Sequence, residues 1–559
     1  MSSLVCVPIM VQDPASALVE AAAARDAGAD LVEFRIDELF SGSGDEQETK
    51  AVVRLVAESP LPCIVTCRVA SEGGAYEGDE MERVSLLERL GRSEGKGEHP
   101  PKYVDVELAS YTRSANLRQK VDMAVGVPDT AQPGEARASL ILSVHDMNGR
   151  PADLMRRVAA LNAQPAASVL KVAYRARSLR DSLELLELPS QAHKPMIALG
   201  MGEFGLLSRV LAPKFGGFLT FAALRPAATT APGQPTVREL LDLYRFRAIG
   251  PKTGVYGVVG WPVSHSLSPL VHNAGFDESG HDGVYLPLPI AGGEDPETTY
   301  LSLKATLLEL VHHSRLTLRG VSITAPHKEG IVRLARQQNW EIDQAAEGIG
   351  AANTMIIDRG SNGEPSRVRL LNTDAPAAAD GLKSLIGPLA GKRVGVVGAG
   401  GVGRAVAYGA AKEGATVVIY SRDLERAARV EAEVEAAVPG AKLVAAETGL
   451  LEKTCCEAIV NCTPVGMNGG PSPNESPIPL DRMSACDRSM VVMDTVYAPL
   501  QTPLLKAAAS AGFRTIDGAS LFVRQAEAQF ELWTGRQAPA GLFERLVRGA
   551  LSASDRGDR

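Results

Sequence analysis

KRVGVVGAGGVGRAVAYGAAKEGATVVIYSR, residues 392–422, decides how the second half of this chain folds. An apolar run ends at a glycine cluster, a stretch with helical spacing follows, and a second apolar run begins after Gly414. Strand, glycine turn, helix and strand in that order form the unit that receives a dinucleotide. Gly398, Gly400 and Gly403, with Ala399, Gly401 and Val402 between them, let backbone and helix N-terminus approach a pyrophosphate. The end of the second strand speaks to the cofactor. An NAD site places an acid there for the ribose 2′-hydroxyl, whereas this chain has Ser421 and Arg422, with Arg426 one turn on. Arginine favours a 2′-phosphate, hence NADP. Asp423 comes one or two places late and keeps NAD open. Arg404, just after the glycines, is expected to be a further phosphate contact.

Towards the N-terminus a different pattern takes over. Short apolar runs recur at 4–10, 30–36, 62–68, 102–108, 139–145, 168–174, 195–201 and 216–222, separated by segments with helical spacing. Eight strands alternating with helices in about 220 residues predict a closed (β/α)8 barrel. TVRELLDLYRF (236–246) reads as its last helix, and Gly250, Pro251 and Gly254 mark a linker. The polar, Pro/Gly-rich loop 126–138 is expected to be solvated. In such a barrel chemistry gathers at the C-terminal strand ends. Glu33, Arg35, Arg68, Asp105, Glu107, His145 and Lys171 fall there, though a strand end is also where a barrel meets water. Lys171 lies among Val169, Leu170, Val172 and Ala173, and an apolar environment lowers a lysine pKa. A neutral amine can attack a ketone to form an imine, and His145 is suited to take the proton acidified by it and return it to a leaving group.

The whole chain is α/β. Its 559 residues exceed one ordinary domain, and its 45% apolar and 22% charged residues are those of a globular protein. A net charge of −8 gives no reason to expect nucleic acid or an acidic membrane as partner. No apolar run reaches about 18 residues, as a spanning helix would need. MSSLVCVPIMVQ lacks a basic stretch and does not read as a signal peptide. The seven cysteines have neither disulfide nor zinc spacing, so no metal is expected and the thiols read as reduced, in a cytoplasmic protein.

Between barrel and glycine turn lies a smaller α/β unit with polar motifs. Ser266 and Ser268 (SHSLSP) can present two hydroxyls, or cap a helix. Thr324 and Lys328 flank a proline turn (ITAPHK), and Asn353 and Asp374 add an amide and a carboxylate. A Lys328–Asp374 pair beside a nicotinamide can relay a proton while hydride moves to carbon; alone it would be a plain ion pair.

In the first half, FRID after Glu33, TCRVASEGG (66–74), SVHD (143–146), KVA (171–173), the pair 208–209, FGGFLTF (215–221) and APGQ (231–234) together resemble type I 3-dehydroquinate dehydratase over about 1–245. The resemblance implies that Lys171 forms an imine with the C3 ketone of 3-dehydroquinate, with His145 as general acid/base oriented by Glu72. Arg209, Arg68 and Arg35, together with Glu33, would hold carboxylate and hydroxyls. Gln234 would close over the substrate. Thr230 stands where the family often has serine, and Leu199 where methionine is usual. From 254 to 545, SHSLSPLVHN, ITAPHK, GAANT, NTD, GAGGVGRA, NCTPVGM, DTVYAPLQTPLL and GASLFVRQAEAQFELWTG resemble shikimate dehydrogenase. This implies a catalytic pair Lys328/Asp374 and a substrate site of Ser266, Ser268, Thr324, Asn353, Tyr497, Gln525 and Gln529. Asn461, Thr463 and Met467 would lie near the nicotinamide, with Gly518 also at the NADP site.

The expected organisation is therefore a barrel at 1–245, a linker at 246–253 and a substrate domain at 254–375. A Rossmann NADP domain at 376–520 and C-terminal helices at 521–550 packing back on the substrate domain follow. A disordered tail is expected at 551–559. Dehydratase then dehydrogenase resembles the plant bifunctional enzyme of the shikimate pathway. Its small-molecule substrates would be 3-dehydroquinate, 3-dehydroshikimate and shikimate, and a monomer or weak homodimer is expected. Two alternatives stay open: a dehydrogenase half acting on quinate, and a non-catalytic regulator on the same folds. The serine pair speaks for shikimate, since quinate's extra hydroxyl needs room. The retained catalytic residues speak against the regulator.

Overall fold

The computed structural model describes residues 3–41, 43, 46–92, 99–125, 137–226, 233–480 and 487–557. The chain separates into two compact units, Met1–Thr253 and Gly254–Arg559.

The first unit is a nearly closed barrel of eight parallel strands: β1 (Leu4–Met10), β2 (Leu31–Arg35), β3 (Cys63–Thr66), β4 (Tyr103–Glu107), β5 (Ser139–Asp146), β6 (Ala167–Arg175), β7 (Met196–Met201) and β8 (Leu219–Phe221). Neighbours in sequence are neighbours in the sheet, and β8 returns to β1. Between β7 and β8 the Phe218 amide donates to the Met196 carbonyl at 2.8 Å. The two-residue strand period explains both core and site. Cys6, Leu31, Ile64, Ile141, Val169, Ile197 and Leu219 form one buried apolar layer. Two residues further along five of those strands stand Glu33, Thr66, Ser143, Lys171 and Leu199, and on β4 Asp105 follows Tyr103 at the same interval. The barrel floor is thus apolar, and the layer above it, towards the C-terminal ends, is polar except at Leu199 and Phe221.

Residues 237–244 turn once with π-helical bonding at Glu239–Leu243 rather than forming a regular helix. Thr236 and Glu239 cap one another there, the Thr236 amide donating to Glu239 Oε2 at 2.7 Å and the Glu239 amide to Thr236 Oγ1 at 3.2 Å. The stretch 246–253 is not a free tether. Phe246 is buried, and Lys214 Nζ donates to the carbonyls of Pro251 and Thr253, both at 2.9 Å.

The second unit holds two sheets. One contains β9 (Gly254–Gly260), β10 (Gly283–Pro289), β11 (Leu318–Ile323), β12 (Glu341–Ile342), β13 (Thr354–Arg359) and β14 (Pro365–Leu371), in the order β10-β9-β11-β13-β14-β12. It is mixed: β13 runs antiparallel to both β11 and β14. The other contains β15 (Arg393–Val397), β16 (Thr416–Ser421), β17 (Lys442–Glu447), β18 (Ala458–Asn461), β19 (Val491–Asp494) and β20 (Arg514–Ile516). All its pairings are parallel and the order is β17-β16-β15-β18-β19-β20, the doubly wound arrangement. Strand order reverses between β15 and β18, which sets Gly398 beside Cys462 and Thr463. Helices Gly518–Thr534 and Leu542–Gly557 pack Phe522, Phe530, Phe543 and Val547 against Tyr256, Val271 and Phe276. The last helix continues to Gly557 through most of the stretch expected to be a disordered tail, because Leu542, Phe543, Leu546, Val547 and Leu551 keep one apolar face into that stretch. No helix among the described residues is long and apolar enough to cross a membrane.

Candidate active sites

In the barrel, Glu33, Arg35, Arg68, Glu72, His145, Lys171, Arg209 and Gln234 line one cavity, with Met147, Leu199, Met201 and Phe221 as its apolar wall. Lys171 is buried, as its flanks imply, but its ammonium is not among apolar groups. It lies 2.8 Å from Asp105 Oδ2 and 3.5 Å from Glu33 Oε1, with the Phe221 ring centroid 4.7 Å away. The apolar flanks were a misleading guide because neighbours along a strand point to alternate faces; the inward face is polar. Burial alone would raise the Asp105 carboxyl, but the Arg68 guanidinium and the Lys171 ammonium outweigh it and hold Asp105 well below the usual carboxylate range.

His145 sits at the end of β5, two residues beyond Ser143, which pairs with Lys171 across the sheet. Its Nδ1 is 3.0 Å from Glu72 Oε2, and its backbone amide donates to the same oxygen at 2.9 Å. Burial, reinforced by the Arg68 and Lys171 charges, pushes the imidazole well below 6.5, so it is neutral and its Nε2 can accept a proton. Burial pushes the Glu72 carboxyl up to about 7, against the pull of Arg68. Arg35 is held by Asp37 through two bonds of 2.9 Å. Arg209 is buried, with Nε donating to the Gly200 carbonyl at 3.1 Å; burial lowers its pKa to about 10. Gln234 is buried at the cavity wall. Thr230 and most of loop 126–138 lie outside the described residues.

In the second unit Lys328 Nζ donates to Asp374 Oδ2 at 2.6 Å. Asp374 opens helix Asp374–Ile386, and His327, donating Nε2 to the Ile290 carbonyl at 2.7 Å, fixes the turn that carries Lys328. The glycine turn stands against this pair: a Cβ on Gly401 would come within 3.2 Å of Lys328 Cδ. Gly398 has φ 108°, and a Cβ on Gly403 would strike the Gly398 carbonyl oxygen at 1.9 Å, whereas nothing lies near Gly400. The turn is thus tight where strand meets helix and open where a pyrophosphate would approach, so these residues fit a dinucleotide. Ala399 is buried and Val402 half-buried beside them.

Other expected site residues divide into two groups. Ser266 and Thr324 are half-buried and Ser268 buried; the Ser268 amide donates to Ser266 Oγ at 3.2 Å, so one of the two hydroxyls also secures the turn before the helix. Tyr497 and Gln525 are half-buried, the tyrosine ring packing 5.2 Å from Phe522. Asn353 and Gln529 are committed inward. Asn353 Nδ2 donates to Thr373 Oγ1 at 2.9 Å, and Gln529 Nε2 donates to the Asn353 carbonyl and to Thr354 Oγ1. Asn461 bonds Asp494 at 2.9 Å and accepts from the Thr463 amide and hydroxyl, forming the frame of the loop that exposes Met467. Gly518 is needed for close approach, since a Cβ there would lie 2.3 Å from the Val496 carbonyl oxygen.

At the end of β16, Ser421 is half-buried and Arg422 exposed. Asp423 caps the next helix, its Oδ1 accepting from the Arg426 amide at 2.9 Å. Arg426 Nη2 lies 3.1 Å from Glu329 Oε1. Arg404 is buried and bonded to Glu433 and the Ile349 carbonyl, so helical phase commits its side chain to protein partners. Asp105, Glu107, Ser143, His327 and Glu329 had no assigned role from sequence. Asp105 and Glu107 carry the recoverable signal, acids two apart inside an apolar strand.

Family profiles match the chain in the same order. Type I 3-dehydroquinase covers 5–251, the shikimate dehydrogenase substrate binding domain 258–355, NADP oxidoreductase coenzyme F420-dependent 393–454, and the shikimate 5'-dehydrogenase C-terminal domain 518–548. The bifunctional 3-dehydroquinate dehydratase/shikimate dehydrogenase of Arabidopsis thaliana, a chloroplastic protein, is 38% identical over 560 residues, which is 98% of this chain and 84% of that one. The chain belongs to this bifunctional family. It joins a type I dehydroquinate dehydratase half to a shikimate dehydrogenase half, as the motifs implied. The dehydrogenase half alone resembles the shikimate dehydrogenase (NADP(+)) of Methanocella arvoryzae, 39% identical over 53% of this chain and 99% of that one. It is also similar to a shikimate dehydrogenase solved with NADP+, at 30% identity and TM-score 0.46 over 54% of this chain and 97% of that one.

Proposed function

We propose that the barrel dehydrates 3-dehydroquinate through a Lys171 imine and that the second unit reduces the product, 3-dehydroshikimate, to shikimate with NADPH. The convergence of Lys171, His145, Arg68 and Arg209 on one barrel cavity carries the first reading. Lys171 passes its proton to neutral His145 and attacks the ketone; His145 returns that proton to the carbinolamine hydroxyl, which leaves as water, and the resulting imine acidifies the adjacent carbon. Neutral His145, held by Glu72 through Nδ1, takes the proton of that carbon at Nε2 and returns it to the departing hydroxyl, which leaves as water. Hydrolysis frees Lys171. The Arg68 and Arg209 guanidiniums bind carboxylate and hydroxyls. Incubation with 3-dehydroquinate and NADPH should yield shikimate; accumulation of 3-dehydroshikimate alone would refute the second half of the proposal.

Glu72 orients His145 as a carboxylate. Because the Glu72 pKa is raised to about 7, its active form is lost as pH falls through that value. The expected result is a dehydratase kcat/KM that declines below about pH 7. In Glu72→Gln this limb should be absent and the rate lowered about a hundredfold, the scale of a misplaced catalytic group. A pH profile of both proteins checks it.

In the second unit NADPH would supply hydride. Lys328 and Asp374 would hold the substrate oxygen and pass it a proton, while the serine pair and Tyr497 bind the ring hydroxyls and carboxylate. The exposed Arg422 at the end of β16 supports NADPH over NADH. Arg422→Ala should raise the NADPH KM about tenfold and leave the NADH KM unchanged, as expected for removal of one charge-assisted phosphate contact. Equal effects on both cofactors would contradict this assignment.

A further inference from the structure

We propose that Arg83, which lies outside the substrate cavity on the helix Glu80–Arg92, is the positioning residue that sets Arg68 and thereby how Asp105 is shared between Arg68 and Lys171. The inference rests on the imine reading above. Arg83 is fully buried, which is unusual for an arginine on an outer barrel helix. It is held by Glu80 through two bonds of 2.8 and 2.7 Å, and its Nη1 donates to the Cys67 carbonyl at 2.7 Å, the residue just before Arg68. The same Nη1 lies 2.9 Å from Glu107 Oε2. From there one alternating line of buried charge runs to the reacting amine. Glu107 Oε1 accepts from Arg68 at 2.8 Å, Arg68 Nη2 meets Asp105 Oδ1 at 2.9 Å, and Asp105 Oδ2 accepts from Lys171 at 2.8 Å. Each carboxylate is spanned by two cations, one on each oxygen.

Removing Arg83 would leave Arg68 as the partner of Glu107 within this line. Arg68 would then lean towards Glu107, Asp105 would be released to Lys171, and the site would lose a positive charge. Both changes stabilise the ammonium, whereas imine formation needs the free amine. Removing the Glu107 charge should act in the opposite sense. The other groups facing Lys171 are Cys6 on β1, Glu33 and Arg35 on β2, Glu72 with His145, and Arg209 after β7. None of these bonds Arg83, so they form a common background for the comparison.

The test is the pH dependence of borohydride trapping of 3-dehydroquinate on the full-length protein. Arg83→Met should trap about tenfold more slowly at pH 7 and recover at higher pH, the size of a one-unit displacement by a nearby charge. Arg83→Lys should lie between it and the parent. Glu107→Gln should shift the profile to lower pH, and the Arg83→Met/Glu107→Gln pair should return near the parent, which also relieves the buried carboxylate that the single change strands. Recovery of trapping at higher pH distinguishes the shift from loss of the barrel fold, which would not recover. An unshifted profile in soluble Arg83→Met, or shifts of the same sign in Arg83→Met and Glu107→Gln, would overturn the inference. Absence of trapping in the parent would instead refute the imine itself.

Discussion

Lys171→Ala should abolish the dehydration of 3-dehydroquinate while leaving the oxidation of shikimate within twofold of the parent. The expected loss is on the order of ten-thousandfold or more, because no second amine can replace a missing nucleophile and the acid–base partners of a nucleophile act as a unit with it. Among the lining residues of the cavity Lys171 is the one amine. Its removal also leaves Asp105 and Glu33 facing each other without their shared cation, so the barrel should melt at lower temperature. The second unit has its own core and its own Lys–Asp pair, which is why its activity should survive. Separate assays of the two half-reactions check this. Parallel loss of both would contradict independent sites.

The complementary change should give the mirror result. Lys328→Ala should lower NADP-linked reduction of 3-dehydroshikimate by about a thousandfold, within the range for removing a positioned proton donor, and leave dehydration unchanged. The effect should fall on kcat more than on NADPH KM, since the Lys328 amine is held by Asp374. Asp374→Asn should give a smaller loss in the same direction, because an amide can still hold the amine at 2.6 Å but cannot exchange its proton. A large rise in NADPH KM with unchanged kcat would place these residues in cofactor binding instead.

Much of this was legible in the sequence, for identifiable reasons. Barrel strands are buried on both faces and read as short continuous apolar runs, so all eight stand out, and a charge inside such a run, as at Lys171 or Asp105, marks the inward polar layer. Residues that complete the site from elsewhere left weaker traces. The partners of Lys171 come from β2 and β4, and nothing near residue 171 announces them. Arg83 looks like an ordinary charge on an amphipathic helix, and only the fold shows that it points into the barrel wall. The direction of β13 was equally unreadable, since antiparallel and parallel pairing leave no mark on so short a run. Arg404 shows a different limit: adjacency to the glycine turn suggests a phosphate contact, and nothing in the sequence near it announces its bonds to Glu433 and the Ile349 carbonyl.

The central claim is a covalent intermediate on one lysine of the barrel. Full-length protein should be mixed with 3-dehydroquinate, reduced with borohydride and mapped by peptide mass spectrometry. A stable adduct of one substrate skeleton on the peptide containing Lys171, absent without substrate and absent in Lys171→Ala, is the predicted result. An unmodified Lys171 in protein that still dehydrates 3-dehydroquinate, or an adduct confined to another lysine, would contradict it.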